Sequence, residues 1–167
     1  MSLVPDTAVF QQRLAGLPIT KYQAGQNVMT AGSTDGKLHF LRSGVVEVLK
    51  DGVQIAKVSA PGAVFGELAV FLAQPHTADV RTLEPSEFQV ADGRSLLAED
   101  SLTTLYVATI LARRLDGANR AMVDLKQRLQ AGESRREISK TVEKVQELLR
   151  SGGASLVYAG YPYDPFA

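Results

Sequence analysis

The sequence predicts a mainly β domain of the small-barrel or jelly-roll type, flanked by helices on both sides. Between residues 19 and 91, short β-prone runs alternate with turns built on Gly, Pro and Asp, and this near-regular spacing is typical of barrels and jelly rolls. Outside this region, apolar residues recur at every third or fourth position, which indicates amphipathic helices.

The N-terminal element is predicted to be a helix over residues 6–17. Asp6 or Thr7 is suited to cap it, because a short polar side chain accepts hydrogen bonds from the free N–H groups of the first turn. The apolar residues of this helix are Val9, Phe10, Leu14 and Leu17.

Several β-prone runs follow, separated by turn residues. They cover residues 19–22, 27–30, 38–42, 45–49, 53–58, 78–83 and 87–91. Asp51 and Gly52 stand between two Val-rich runs, and this pair predicts a tight hairpin turn, which requires positive φ angles. Within the β region, residues 66–72 have a helical pattern that ends before Pro75.

A long helical region is predicted over residues 93–130, and it carries an apolar seam. The seam residues alternate by four and three positions and are Leu111, Leu115, Ala118, Met122, Leu125 and Leu129. Such a heptad pattern is typical of helices that pair with a second helix, so we expect a homodimer through helix 93–130. The alternative is that the helix packs this stripe on its own domain.

Two further segments follow the domain of residues 1–130. Residues 133–150 are predicted to form an additional helix with its own apolar stripe. Residues 151–167 form a tail that is rich in aromatic residues for a solvated segment. We therefore expect the tail to dock on the chain, on its dimer partner or over the mouth of a pocket.

Composition excludes several classes of function. The chain has 18 Lys and Arg against 18 Asp and Glu, which argues against nucleic-acid binding. It has no cysteine and only two histidines, His39 and His76, so neither a metal centre nor thiol catalysis is expected. No apolar run reaches the length of a membrane span and the first residues lack a secretory signal. We therefore expect a cytoplasmic protein that does not bind membranes.

Residues 61–80 carry the most informative pattern. A strand is predicted to end at Phe65 and a short helix to begin beside Gly66, whose missing side chain lets a ligand approach the backbone. The free N–H groups at this turn are suited to an anion, and Glu67 is suited to accept hydrogen bonds from sugar hydroxyls. The pattern therefore predicts a site for a phosphate and a ribose.

This segment resembles the phosphate-binding cassette of the cyclic nucleotide-binding domain family, of the type found in catabolite activator protein and protein kinase A regulatory subunits. The resemblance extends over about residues 10–130. It is carried by an ordered set of residues: Tyr22, Gly25, Val28 and Gly32, then Leu38, Phe40, Leu41, Ser43, Gly44, Val46 and Val48, then Asp51 and Gly52, then Pro61, Gly62, Phe65, Gly66 and Glu67. The family implies an eight-stranded β-roll with an N-terminal helix and a long C-terminal helix that commonly dimerises.

The resemblance also implies a ligand, cAMP or cGMP, with no other cofactor and no metal. Backbone groups of Gly66, Leu68 and Ala69 would contact the cyclic phosphate, and Glu67 would accept a hydrogen bond from the ribose 2′-hydroxyl. Thr77 stands where some members of the family place a hydroxyl that contacts the phosphate or the guanine.

His76 stands in the place of the family's arginine, whose guanidinium neutralises the phosphate. A histidine is shorter, offers at most two donors and is mostly neutral at pH 7. We therefore expect the affinity for a cyclic nucleotide to be weakened or lost, with Lys37, Arg42 or Arg81 as basic side chains that could substitute. Asp79 would weaken binding further if its carboxylate faced the site.

The sequence thus predicts a non-enzymatic, stand-alone regulatory protein, because no nucleophile–base pair and no helix-turn-helix after Gln130 can be recognised. It would act through its own dimer or through an unknown protein partner, as a binding module without ligand or with a weak one. The alternative is a functional cAMP or cGMP sensor that signals through the C-terminal helix to a protein partner.

Overall fold

Eight strands form two four-stranded antiparallel sheets in the computed structural model, which describes residues 7–132 and 139–140. The strands are β1 (Ile19–Tyr22), β2 (Asn27–Met29), β3 (Lys37–Ser43), β4 (Val46–Lys50), β5 (Val53–Val58), β6 (Val64–Phe65), β7 (Asp79–Thr82) and β8 (Ser86–Asp92). The strand order is β1-β8-β3-β6 in the first sheet and β2-β7-β4-β5 in the second. This architecture confirms the predicted mainly β fold and the eight-stranded β-roll.

The helices with described bounds flank the roll. They are α1 (Thr7–Leu14), α2 (Glu67–Leu72), α3 (Gly93–Glu99) and α4 (Ser101–Gln130). Among the described residues, no helix combines the length and the apolar character that crossing a membrane requires.

The strand β3 separates two apolar cores, because successive side chains of a strand point to opposite faces of the sheet. Leu41 packs inside the roll with Phe65 and Phe88. Leu38 and Phe40 pack on the outer face, against the helices. The roll therefore has an inner core of its own and a second core that holds the helices.

Phe10 fixes α1 and α4 on the outer face of the first sheet. Its ring stacks on Tyr106 of α4 with the two ring centroids 3.5 Å apart, and it meets Phe40 of β3 edge-on at 5.9 Å. All three rings are buried. The first half of α4 is therefore held against the roll.

The prediction of one helix over residues 93–130 is wrong, because the chain forms α3 and α4 with a break at Asp100. Asp100 has an extended backbone, and its carboxylate accepts hydrogen bonds from the backbone N–H groups of Leu102 and Thr103 at 3.1 and 3.3 Å. Asp100 therefore caps a new helix. The first helix is also shorter than predicted, since the chain leaves the helical conformation after Leu14.

The apolar seam of α4 is only partly covered by the chain's own domain. Leu111 packs against the core on the outer face, whereas Leu115, Met122 and Leu129 are 58–65% exposed. The exposed part of the seam begins at Leu115, four positions after Leu111.

The predicted helix over residues 133–150 lies outside the described residues, apart from residues 139–140, which are helical. The predicted aromatic tail of residues 151–167 lies entirely outside them.

His39 is a buried titratable side chain on β3. It is 2% exposed, its ring contacts the edge of Phe88, and its Nδ1 atom has no hydrogen-bond partner among the described residues. Burial lowers the pKa of His39 from 6.5 to about 4, because an imidazolium removed from water loses its hydration. His39 is therefore neutral in the folded protein at neutral pH.

We expect His39 to make the folded state sensitive to acid. The unfolded chain binds a proton at His39 near pH 6.5 and the folded chain only near pH 4, so the free energy of unfolding falls between these values by about 3 kcal/mol. Urea denaturation at pH 7, 5.5 and 4 measures this fall in the wild type and in His39→Leu, which lacks the titrating ring. A variant that lost as much stability as the wild type over this range would contradict the assignment.

Candidate functional site

The site begins at Gly66, the residue between β6 and α2. Its φ of +92° lies in the left-handed region, which other residues rarely adopt. A Cβ atom at this position would collide with the carbonyl oxygen of Lys37 and would lie 3.4 Å from Cε1 of His76. The backbone therefore enters α2 along this path only with a glycine.

A cavity of about 290 Å³ lies beside this turn and is lined by α2, by Arg114 of α4 and by side chains of β4, β5 and β7. The six residues that the sequence singled out all line it: Gly66, Glu67, Leu68, Ala69, His76 and Thr77. The rest of the wall is mostly apolar and includes Met29, Val48, Ile55, Ala56, Val58, Phe65, Ala78 and Val80. The structure brings the predicted residues together, and their contacts with a ligand stay a prediction.

Glu67 is the buried carboxylate of this cavity, and it is paired with Arg114. Glu67 is 5% exposed. Arg114 donates from Nη1 to Oε1 of Glu67 and from Nη2 to the carbonyl oxygen of Val64, the latter at 3.2 Å. A carboxylate removed from water needs such a charged partner. The pair joins α4 to the strand and the helix that form the site.

Arg114 was missed by the sequence reasoning, although the sequence contains a signal for it. Tyr106, Ile110 and Arg114 are spaced four residues apart on α4, and the first two are buried against the roll. Residues at this spacing share one face of a helix. The face that packs on the roll therefore also carries the arginine towards the cavity.

His76 is held by the segment between β2 and β3. Its Nε2 atom lies 2.9 Å from Oδ1 of Asp35, and its backbone N–H donates to the carbonyl oxygen of Ser33 at 2.9 Å. Burial raises the pKa of the Asp35 carboxyl, but hydrogen bonds from His76 and from the backbone N–H of Lys37 outweigh it and hold that pKa below its usual value. Asp35 is therefore ionised at neutral pH and orients the imidazole.

The carboxylate of Asp79 does not face the cavity. Ala78 and Val80 line the cavity, and alternation along the strand directs Asp79 and Arg81 to the opposite face. The Oδ1 atom of Asp79 accepts a hydrogen bond from the backbone N–H of Ala31 at 2.8 Å. The expected repulsion of a phosphate by Asp79 therefore does not arise at this position.

The basic side chains proposed as substitutes for an arginine lie elsewhere, and that expectation is wrong. Arg81 donates from Nε to Glu47 at 2.7 Å, and Arg42 donates to Glu87 at 2.8 Å. Lys37 is likewise not among the residues that line the cavity.

Lys50 lines the cavity instead, and the sequence reasoning missed it. It is the last residue of β4, and its Nζ atom donates to the carbonyl oxygen of Thr77 at 2.7 Å. Val46 packs in the inner core and Val48 lines the cavity, so alternation along β4 places Lys50 on the same face. The orientation of Lys50 was not predicted, because it stands directly before the hairpin turn at Asp51 and Gly52.

Residues 19–99 match the family model described as "Cyclic nucleotide-binding domain". The match covers all eight strands together with α2 and α3. It therefore includes every residue of the cavity wall except Arg114, which α4 contributes.

Two curated relatives match parts of the chain. A cAMP-dependent protein kinase regulatory subunit from Yarrowia lipolytica is 36% identical over 80 residues, which are 48% of this chain and 21% of that protein. Glutaminase 1 from Bradyrhizobium diazoefficiens is 48% identical over 63 residues, which are 37% of this chain and 10% of that protein. The chain thus spans about a fifth and a tenth of the length of these relatives.

Solved structures have the same fold. Catabolite Activator Protein from Thermus thermophilus has a TM-score of 0.57 at 20% identity, over 86% of this chain and 80% of that chain. A cyclic nucleotide-binding domain from Methylobacillus flagellatus KT has a TM-score of 0.57 at 21% identity, over 67% of this chain and 69% of that chain. The sequence match over residues 19–99, just under half of the chain, and the fold shared with these structures support a cyclic nucleotide-binding domain in this part of the chain.

Proposed function

We propose that this chain is a non-enzymatic regulatory protein whose cavity binds a cyclic nucleotide, cAMP or cGMP, with lowered affinity. The observation that carries the proposal is the cavity of about 290 Å³, which combines a mostly apolar wall with the buried carboxylate of Glu67. Its volume is near the lower limit for small-molecule sites, and a few placed polar groups in an apolar wall are typical of them.

The lowered affinity follows from the chemistry of His76. An arginine would offer a planar fork of donors and a permanent charge to the phosphate, whereas the imidazole of His76 already has Nε2 against Asp35. Arg114, the guanidinium at the cavity, is engaged with Glu67 and with the Val64 carbonyl oxygen. A lost charge-assisted hydrogen bond corresponds to about one to two decades of affinity.

A second candidate function is a sensor that signals through α4. Its basis is the contact of Arg114 with Glu67. A ribose hydroxyl that donated to Glu67 would share this carboxylate with Arg114 or displace it. Occupation of the cavity would then change the only side-chain hydrogen bond between α4 and α2 among the described residues, and so bias the position of the helix.

The output surface in this proposal is the exposed seam of α4, and the partner is a second copy of the chain. Leu115, Met122 and Leu129 lie on the heptad seam and are 58–65% exposed, and paired helices bury such a/d positions. The dimer, rather than a nucleic acid or a membrane, would present the regulatory surface to an unknown protein partner.

We expect His76→Arg to bind cAMP or cGMP about ten to a hundred times more tightly than the wild type, because it restores the guanidinium fork. Calorimetric titration of the full chain with each nucleotide, up to millimolar concentration, measures the change. His76→Gln is the matched control, since it keeps a donor without adding charge. Equal affinities of the arginine and glutamine variants would contradict the stated role of position 76.

We expect Arg114→Met to uncouple α4 from the cavity. The variant leaves the Glu67 carboxylate without its cation, so the free energy of unfolding should fall by about 1–3 kcal/mol for a pair whose arginine is partly exposed. Hydrogen exchange of residues 101–130, with and without saturating nucleotide, should change in the wild type and not in Arg114→Met. Arg113→Met is the control, since Arg113 does not line the cavity, and its helix should respond like the wild type.

We expect the full chain to have twice its monomer mass of 18.0 kDa in light scattering. Leu115→Glu places a charge in the seam and should give a monomer, because a buried unpaired carboxylate is unfavourable. Asn119→Glu changes an exposed α4 residue outside the seam and should remain a dimer. A monomeric wild type would contradict the proposed dimer.

A further inference from the structure

Lys50 differs from the other charged residues that line the cavity in having no carboxylate partner among the described residues. The charged residues that line the cavity are Lys50, Glu67 and Arg114, together with the titratable His76. Glu67 and Arg114 neutralise each other, and His76 lies against Asp35. None of the ion pairs between described residues includes Lys50. The wall of the cavity therefore carries one positive charge without a carboxylate partner.

The ammonium group of Lys50 is fixed beside the residue that follows His76. Its Nζ atom donates to the carbonyl oxygen of Thr77 at 2.7 Å, and the neighbouring pair Leu49 and Asp79 is in register between β4 and β7. An ammonium group has three donors, and this contact uses one. Two donors remain for a ligand in the cavity.

The outer face of the same sheet explains why Lys50 has no carboxylate beside it. Glu47 alternates with Val46 and Val48 on β4 and accepts hydrogen bonds from Arg81 and Gln54 on that outer face. The carboxylate of Glu47 therefore lies on the face of the sheet that is turned away from the cavity.

We infer that Lys50 binds the cyclic phosphate of the ligand and supplies the charge that the family's arginine would otherwise provide, an inference that rests on the proposed function. A phosphodiester carries one negative charge, which matches the single unpaired positive charge of the wall. Lys50 is exposed at the end of β4, so water and salt partly screen its attraction for the phosphate. Lysine acts there as a point charge rather than as a fork, so the phosphate is held without bidentate geometry.

The inference is tested by titrating the full chain with cAMP and cGMP in four forms: wild type, Lys50→Met, Lys50→Arg and Lys57→Met. Lys50→Met should bind the preferred nucleotide about ten to thirty times more weakly than the wild type. Lys50→Arg keeps the charge and should remain within about threefold of the wild type. Lys57, an exposed lysine of β5 that does not line the cavity, is the matched control and should leave the affinity unchanged.

The remaining outcomes overturn either the inference on Lys50 alone or the proposed function together with it. If Lys50→Met binds as tightly as Lys57→Met, or if Lys50→Arg loses as much affinity as Lys50→Met, the inference on Lys50 is overturned while the proposed function stands. If the wild type binds neither nucleotide at millimolar concentration, both the proposed function and the inference are overturned. Thermal denaturation of every variant verifies that a loss of affinity does not reflect a loss of folded protein.

Discussion

The structure around the cavity depends on one electrostatic constraint, the burial of the Glu67 carboxylate. A carboxylate that is 5% exposed requires a cation with good hydrogen-bond geometry, because the free energy of removing it from water is large. Arg114 meets this requirement from α4, 47 positions along the chain. The helix must then pass over α2 with one particular face towards the roll. The stack of Phe10 on Tyr106 secures that face two turns earlier.

A second constraint is the separation of charge between the two faces of the sheet that contains β4 and β7. On the outer face, Glu47 and Arg81 satisfy each other. On the inner face, the charged residue that β4 and β7 contribute to the cavity wall is Lys50. The pleat of two adjacent strands therefore determines which charges a ligand can meet, and a shift of register by one residue would exchange them.

The sequence was sufficient for most of the fold and for a set of six residues that line one cavity. The hairpin at Asp51 and Gly52, the turn into a helix at Gly66 and the helical spacing around Phe10 are local signals, and each was followed by the expected element. The break between α3 and α4 at Asp100 was not predicted. One aspartate between two helices hardly changes the helical spacing of the apolar residues around it.

The side chains that the sequence reasoning missed reach the cavity through tertiary structure. Arg114 depends on the path of α4, Lys50 on strand pairing, and the partner of His76 is Asp35, 41 positions away. Asp79 and Arg81 were ambiguous because a sequence alone does not say which face of β7 is turned inward. Local sequence patterns thus predicted residues that share one cavity, whereas the charged residues around them depend on the packing of distant elements.

The crowding at Gly66 makes this residue part of the scaffold rather than part of the ligand chemistry. The glycine is required by its φ of +92° and by the Lys37 carbonyl oxygen, and neither requirement involves a ligand. A substitution at Gly66 would therefore strain the backbone whether or not a ligand binds. Neither Lys50 nor His76 has a positive φ, so a change of side chain at these positions meets no comparable backbone penalty. The choice of ligand can therefore be altered through side chains in the wall of the cavity, whereas the turn at Gly66 belongs to the scaffold that holds the wall in place.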